Sequence, residues 1–147
     1  MNGGRISEFA YLLLRVVTGL LFFQHGGMKL LNWFGGIPPE HGGQPALLSQ
    51  AGIGGLLEFF GGLAIMLGLF TRPVAFILSG MMAVAYFQFH QPNAFWPIEN
   101  GGEPAVLYCF LFLYMAARGA GELSLDGLIK GRRRGATAGG RAVRAPS

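Results

Sequence analysis

An apolar stretch in the middle of the chain, residues 54–72, reads GGLLEFFGGLAIMLGLFTR. It is long enough to cross a bilayer as a helix, which takes about 20 mostly apolar residues. Glu58 is the only carboxylate in this stretch, and a carboxylate that faces lipid is costly. We therefore expect Glu58 to point into a protein interior and to have a partner there. At helical spacing it shares one face with residues that let another helix approach closely, namely Gly54, Gly61, Ile65 and Gly68.

The composition extends this interpretation to the whole chain. Its 147 residues suffice for one domain. Hydrophobic residues make up 52% and charged residues 12%, whereas soluble domains carry about 25% charged residues. A soluble helical bundle would have to bury four nearly uncharged segments at once. The composition therefore indicates an integral membrane protein with the lipid bilayer as its partner.

Four apolar segments predict an all-α fold, a four-transmembrane-helix bundle that occupies residues 1–127. Arg15 interrupts the first segment and no small-residue cleavage site follows, so we interpret it as a retained helix and not as a signal peptide. Glycine and proline are concentrated in the connections that would form the outer loops. The expected helices cover about residues 8–31, 53–70, 73–90 and 104–118.

Basic residues predict the orientation of the bundle. Nine of the eleven Lys and Arg residues lie at the N-terminus, in the connection after the second helix, or at the end of the fourth helix and beyond it. Basic flanks remain cytoplasmic, so we expect both the N and C termini in the cytoplasm and the protein in a bacterial inner membrane. Residues 128–147 are interpreted as a basic, disordered cytoplasmic tail. Residues 131–147 include no aromatic residue, so nucleic-acid binding is not expected.

This topology brings five ionisable side chains to the outer half of the bundle. We take them as candidates for ligand binding or proton relay, namely His25, Lys29, Glu58, His90 and Glu103. A structural alternative stays open, in which Glu58 pairs with Lys29 or His25 only to hold two helices together. At the opposite end, Arg15 is expected to form a structural ion pair with Asp126 or Glu122, or to extend its head group to the membrane surface. No spacing typical of a metal site, a phosphate loop or a hydrolase triad is found.

A set of residues in a specific order carries a resemblance to a known family. They are Arg15, Gly19, His25-Gly26, Lys29, Glu58, Gly61-Gly62, Gly68, Thr71-Arg72, His90, Phe95-Trp96-Pro97, Gly101-Gly102-Glu103 and the segment 119–126, GAGELSLD. Over about residues 8–127 the chain resembles the DoxX family. The resemblance implies a four-helix membrane bundle. Relatives resemble membrane subunits of thiosulfate:quinone oxidoreductase and membrane partners of enzymes that detoxify thiols and superoxide, and more distant eukaryotic relatives act as cargo receptors.

Cysteine usage limits the redox chemistry that this chain can perform alone. Cys109 is its one cysteine. An intramolecular Cys-x-x-Cys pair is thereby excluded, and with it a self-contained dithiol oxidoreductase. Haem could take His25 and His90 as axial ligands, but nothing else in the sequence favours haem. A quinone is the cofactor that we retain as a candidate.

Two functions of different class remain open. The first is a redox-associated membrane subunit whose outer polar pocket binds a quinone or a similar small molecule, beside other oxidoreductase subunits. Quinone carbonyls need hydrogen-bond donors, which Lys29 and the two histidines offer, and Glu58 could relay protons. The aromatic side chains expected to flank such a ring are Phe22, Phe59 and Tyr86. The second is a non-catalytic scaffold that recruits partner proteins through its outer loops, above all the Gly- and Pro-rich loop 32–50.

Overall fold

The computed structural model describes residues 3–131, and all regular secondary structure in that range is helical. The expected all-α fold is therefore confirmed. The helices are α1 (Gly3–Leu31), α2 (Gln50–Leu67), α3 (Thr71–Ala85), the short α4 (Pro97–Asn100) and α5 (Glu103–Arg118). A π-helical turn, Tyr86–His90, continues α3, and residues 125–131 form one more short helix. Residues 132–147 of the predicted disordered tail lie outside the described residues.

Three helices among the described residues are long and apolar enough to cross a membrane. They are α1, α2, and α3 together with its π-helical turn (Thr71–His90). α5 has 16 residues, which at 1.5 Å per residue extend over about 24 Å, less than the ~30 Å of the hydrocarbon core. The fourth crossing that we expected would therefore need the residues that flank α5.

The bounds of α2 differ from the predicted 53–70 by three residues at each end. Ser49 caps the helix, because its hydroxyl accepts a hydrogen bond from the Gly52 amide at 3.1 Å, and the helix thus begins at Gln50. Gly68 ends it by adopting a left-handed conformation with φ 68°, which glycine tolerates at no steric cost. The prediction placed the end of α2 three residues too late, because the residues that follow Gly68 are also apolar.

The four long helices form a ring around one shared core. Antiparallel neighbours pack along the chain, α1 on α2, α2 on α3, and α3 on α5. The ring closes where Phe22 of α1 meets Tyr108 and Phe112 of α5 edge-on, with ring centroids 4.9 and 4.6 Å apart. The buried hydrophobic residues at the centre are Tyr11, Phe22, Ile65, Ala75, Leu78, Phe112 and Met115.

Glycines allow α1 and α2 to pack backbone against backbone. A Cβ at Gly19 would lie 2.6 Å from the Gly62 carbonyl oxygen, and a Cβ at Gly26 would lie 2.3 Å from the Phe59 amide nitrogen. Such close approach is typical of small-residue helix packing in membranes. The glycine face that we expected to approach another helix does so only in part. A Cβ at Gly61 would lie 3.0 Å from the Leu78 side chain of α3, whereas a Cβ at Gly54 would meet nothing within 4 Å.

The bundle has two ends with different sets of polar residues. The Glu58 end comprises the end of α1, the first half of α2, the end of α3 and the loops 32–49 and 91–102. The Arg15 end comprises the first half of α1, the turn between α2 and α3, and residues 118–127. The antiparallel ring brings distant parts of the sequence together at each end.

Candidate functional site

Glu58 and Lys29 form a salt bridge between α2 and α1. Lys29 Nζ donates to Glu58 Oε1 at 2.7 Å, with 23% of the lysine side chain and 12% of the glutamate side chain exposed. Of the two partners considered for Glu58, the structure therefore pairs it with Lys29. The second carboxylate oxygen, Oε2, is buried and has no hydrogen-bond partner among residues 3–131. A buried polar atom in this state costs free energy until a donor reaches it.

Neighbouring residues hold Lys29 in this position. Gly55 of α2 faces the base of the lysine side chain, so that a Cβ on Gly55 would lie only 3.0 Å from Lys29 Cβ. Gln44, in the loop after α1, donates through Nε2 to the carbonyl oxygens of Met28 and Lys29 at 3.1 and 2.9 Å. The glutamine thus satisfies carbonyl groups that the last turn of a helix leaves without a partner. Close helix packing and this cap together direct Lys29 toward Glu58.

A cavity of about 180 Å³ lies beside the salt bridge, between α2 and the end of α3. Polar groups and flexible apolar side chains line it, among them Lys29, Gln50, Glu58, Met81, Met82 and Phe89. Gln50 Nε2 donates to Gln88 Oε1 and so joins the start of α2 to the π-helical turn. A cavity of about 150 Å³ is known to hold benzene. The present cavity therefore has room for about one six-membered ring.

The other three outer candidates do not join this site. His25 is exposed on α1 and makes no hydrogen bond within the described part of the chain. His90 Nδ1 lies 3.2 Å from the Asn100 carbonyl oxygen, and its ring stacks on Tyr86, so it belongs to the loop before α5. Glu103 is exposed and borders a separate open hollow beside α4. The structure therefore brings together two of the five predicted residues.

The aromatic side chains expected to flank a ring also lie elsewhere. Phe22 is buried in the core against α5. Phe59 packs on Phe23 and Trp33, with ring centroids 4.4 and 5.7 Å away, between α1 and the loop that follows it. Tyr86 lies with His90 in the loop network. Phe89 is the aromatic residue that lines the cavity.

At the Arg15 end, the expected ion pair between Arg15 and Asp126 is not formed as a direct contact. Arg15 is buried and donates through Nη2 to the Leu123 carbonyl oxygen at 2.7 Å. Asp126 instead accepts hydrogen bonds from the backbone amides of Phe70 and Thr71, at 2.9 and 3.0 Å. The start of α3 leaves these amides without helical partners, and its positive dipole end favours a carboxylate. Both carboxylate oxygens of Asp126 therefore accept hydrogen bonds that cap α3.

Sequence reasoning missed several residues of the cavity. Gln50 lay outside the predicted helix, and Met81 and Met82 resembled ordinary apolar residues. An antiparallel α2–α3 pair places the start of α2 opposite the end of α3, and this pairing rule could have indicated Gln50 and Phe89. No group of three or more metal-ligating side chains is found among residues 3–131. What the site offers chemically is an ammonium donor, a carboxylate acceptor and space for one ring.

Comparison with known proteins identifies the family to which the chain belongs. A family model described as DoxX matches residues 10–91, more than half of the chain. The chain belongs to the DoxX family. Four of the five outer candidates lie in the matched part of this DoxX protein, and Glu103 lies beyond it. No solved structure matches the chain.

Relatives of this DoxX protein include three bacterial proteins of similar length. An uncharacterized protein of Haemophilus influenzae is 45% identical over 118 residues, which cover 77% of this chain and 85% of the relative. The "Inner membrane protein YqjF" of Escherichia coli is 30% identical over 134 residues, 85% of this chain and 95% of the relative. The "Putative oxidoreductase CatD" of Bacillus subtilis is 30% identical over 137 residues, 87% of this chain and 93% of the relative. With three helices long enough to span a bilayer, the DoxX protein is a multi-pass protein of the inner membrane.

Proposed function

We propose that this DoxX protein is a redox-associated membrane subunit whose cavity beside Lys29 and Glu58 binds the head group of a quinone. One observation carries the proposal. Glu58 lines a ring-sized cavity next to an ammonium group, and its buried Oε2 has no hydrogen-bond partner in the described range 3–131. Lys29 Nζ can donate to a quinone carbonyl, and Glu58 can accept from a quinol hydroxyl. The B. subtilis relative, named as a putative oxidoreductase, supports this class of function.

In this proposal the chain contributes binding and proton transfer, and a partner oxidoreductase subunit contributes the electrons. Reduction of a quinone takes up two electrons and two protons, and the quinol oxygens carry the protons. Glu58 is close to the place where an oxygen would lie, and a positioned carboxylate can transfer a proton to or from such an oxygen. The single cysteine, Cys109, supplies no dithiol for the electron transfer.

The proposal includes a membrane topology with four crossings and both termini in the cytoplasm. Basic residues support it, because Arg5, Arg72, Arg118 and Lys130 all lie toward the Arg15 end, and basic flanks remain cytoplasmic. Lys29 would then lie near the outer surface. Reporter fusions after Arg72 and after Ala117 should report the cytoplasm, and fusions at Gly42 and Asn100 should report the outside. An outside signal after Ala117 would overturn the fourth crossing.

Quinone binding is tested with purified protein in detergent. A prenylated benzoquinol, kept reduced so that its hydroxyl groups can donate to Glu58, is titrated into the wild type, Glu58→Gln and Glu103→Gln. The last of these changes an exposed carboxylate outside the cavity. Glu58→Gln keeps the side-chain shape and removes the charge, and we expect it to weaken binding by about tenfold, or about 1.4 kcal/mol. Glu103→Gln should bind as the wild type does. Absence of saturable binding to the wild type, or equal affinity of Glu58→Gln, would overturn the proposal.

A specific observation also favours the second candidate function, recruitment of partner proteins. Large apolar side chains are exposed on the loops of the Glu58 end, with Phe34 at 78% and Leu48 at 88%. Exposed apolar patches of this kind mark interaction surfaces with proteins or membranes. Cross-linking at these two positions in native membranes, followed by identification of the partner, would test this function independently of quinone binding.

A further inference from the structure

The Glu58 cavity is too small for a complete membrane quinone. At about 180 Å³ it accommodates about one ring, since a cavity of about 150 Å³ holds benzene and complete ligand sites have about 300–1,000 Å³. Quinones that dissolve in a bilayer carry a long apolar tail in addition to the ring. If the ring binds beside Lys29 and Glu58, the tail must leave the cavity and lie on another surface of the protein.

An apolar groove of about 410 Å³ lies between α2 and α3. Its walls are hydrocarbon side chains or glycine, and they include Leu56, Phe60, Gly61 and Ala64 of α2 together with Val74 and Ile77 of α3. The groove faces outward, because 62% of Phe60 and 51% of Ile77 are exposed. In a membrane protein such a surface contacts lipid chains, so an apolar tail can enter the groove directly from the bilayer.

The groove and the cavity follow each other along the same pair of helices. α2 and α3 are antiparallel, as the Gln50–Gln88 hydrogen bond and the contact of Gly61 with Leu78 show. The cavity is lined by α2 residues from 50 to 58, and the groove by α2 residues from 56 to 64. The two hollows together extend over about 21 Å of α2 at 1.5 Å per residue.

The line of contact between α2 and α3, called the seam here, leaves a gap toward the outside of the bundle at the cavity. Gly54 lines the cavity, and a Cβ added there would meet no atom within 4 Å. Val84 also lines the cavity and is 47% exposed, so the cavity reaches the lipid-facing side of α3. A ring in the cavity and a tail in the groove can therefore belong to one molecule that crosses this seam.

We propose that the ligand of the Glu58 cavity is a tailed, lipid-soluble quinone that enters between α2 and α3 and whose prenyl tail lies in the groove lined by Phe60, Ala64 and Ile77. This inference rests on the proposed function, because it extends the quinone site. A prenyl tail in a bilayer or in detergent is already out of water, so it contributes affinity through van der Waals packing against the walls of the groove. The groove thereby selects tailed quinones over tailless ones.

The experiment compares two ligands on three proteins. The ligands are one benzoquinone head group without a tail and the same head group with a short prenyl tail, and the proteins are the wild type, Ala64→Phe and Ala10→Phe. Ala64→Phe fills the groove, whereas Ala10→Phe adds the same ring at an exposed alanine of α1. We expect Ala64→Phe to weaken binding of the tailed quinone by about tenfold, which corresponds to about 1.4 kcal/mol. Its affinity for the tailless quinone and both affinities of Ala10→Phe should stay at wild-type values.

A second variant provides an independent test in case Ala64→Phe does not fold. Ile77→Trp fills the groove from its exposed α3 wall, and melting temperatures of both variants are measured beside the wild type. Two results would contradict the groove as the binding site of the tail, while the proposed head-group site would stand. They are equal affinity of the wild type for tailed and tailless quinone, and unchanged affinity of folded Ile77→Trp for the tailed quinone. A wild type that binds neither ligand would instead overturn the proposed function itself.

Discussion

Buried charge has different surroundings at the two ends of the bundle. At the Arg15 end, Arg118 pairs with Glu8 and lies 3.9 Å from the centre of the Tyr11 ring, and Asp126 caps α3 through two backbone amides. At the Glu58 end, a single ion pair borders a cavity and leaves one carboxylate oxygen without a partner among the described residues. The first arrangement satisfies charged groups with backbone and side-chain partners, and the second leaves a buried polar atom that the proposed ligand would contact.

Arg15 also has buried polar atoms, Nε and Nη1, without a hydrogen-bond partner among residues 3–131. Its surroundings differ, however. Nη1 lies against Gly68, so that a Cβ there would overlap it, and Gly68 ends α2. The C-terminus of a helix carries partial negative charge that stabilises a cation. The guanidinium is thus compensated by the helix and by the Leu123 carbonyl group. Substitutions at the Arg15 end are therefore expected to change the stability of the protein, and those at the Glu58 end are expected to change ligand binding.

The largest effect on stability is expected from Arg15→Ala. The side chain is 1% exposed and among the largest that are fully buried, so its removal leaves a cavity and a Leu123 carbonyl oxygen without its donor. Truncation of a large buried side chain typically lowers the free energy of unfolding by about 2–5 kcal/mol. Thermal unfolding in detergent measures the loss, with the exposed Arg5→Ala as the control. A loss no greater than that of Arg5→Ala would mean that the two ends do not differ as described.

A smaller loss is expected from Asp126→Ala. The substitution removes the acceptor of two amides at the start of α3, and loss of a helix cap typically costs about 0.5–2 kcal/mol. The matched control is Glu122→Ala, an exposed carboxylate in the same segment. Thermal unfolding should give a lower melting temperature for Asp126→Ala than for Glu122→Ala, while both variants bind the quinone probe with wild-type affinity. Equal melting temperatures for the two variants would contradict the capping role.

The smallest effect on stability is expected from Glu58→Gln. Lys29 is partly exposed and can reach water when the charge on its partner is lost, and ion pairs with such access contribute about 0–1 kcal/mol. Lys29→Met should cost more than Glu58→Gln, because it leaves a mostly buried carboxylate without a cation. Chemical unfolding of both variants in the same detergent measures which of them loses more free energy of unfolding. The reverse order would show that the carboxylate is better solvated than the cavity indicates.

The candidate site was only partly predictable. A single carboxylate in an apolar helix needs a partner, and this need correctly directed attention to Glu58 and to the charged end of α1. The position of His25 was not predictable. It lies one helical turn before Lys29 on the same side of α1, and a rotation of the helix by about 40° decides which of the two side chains faces inward. His90 also ends in a loop network, since the π-helical turn changes the direction of side chains that a regular helix would have continued.

The class of protein follows from the amino-acid sequence alone, because apolar segments of this length and low charge are stable as helices in a bilayer. The sequence also determined that Glu58 would avoid lipid. Only the tertiary structure decided which face of α2 meets α1. Two pairs of glycines with the same spacing, Gly54 with Gly61 and Gly55 with Gly62, lie one residue apart and so differ by about 100° around the helix. Packing selected Gly55 and Gly62, and that rotation turns Glu58 toward Lys29 and the cavity.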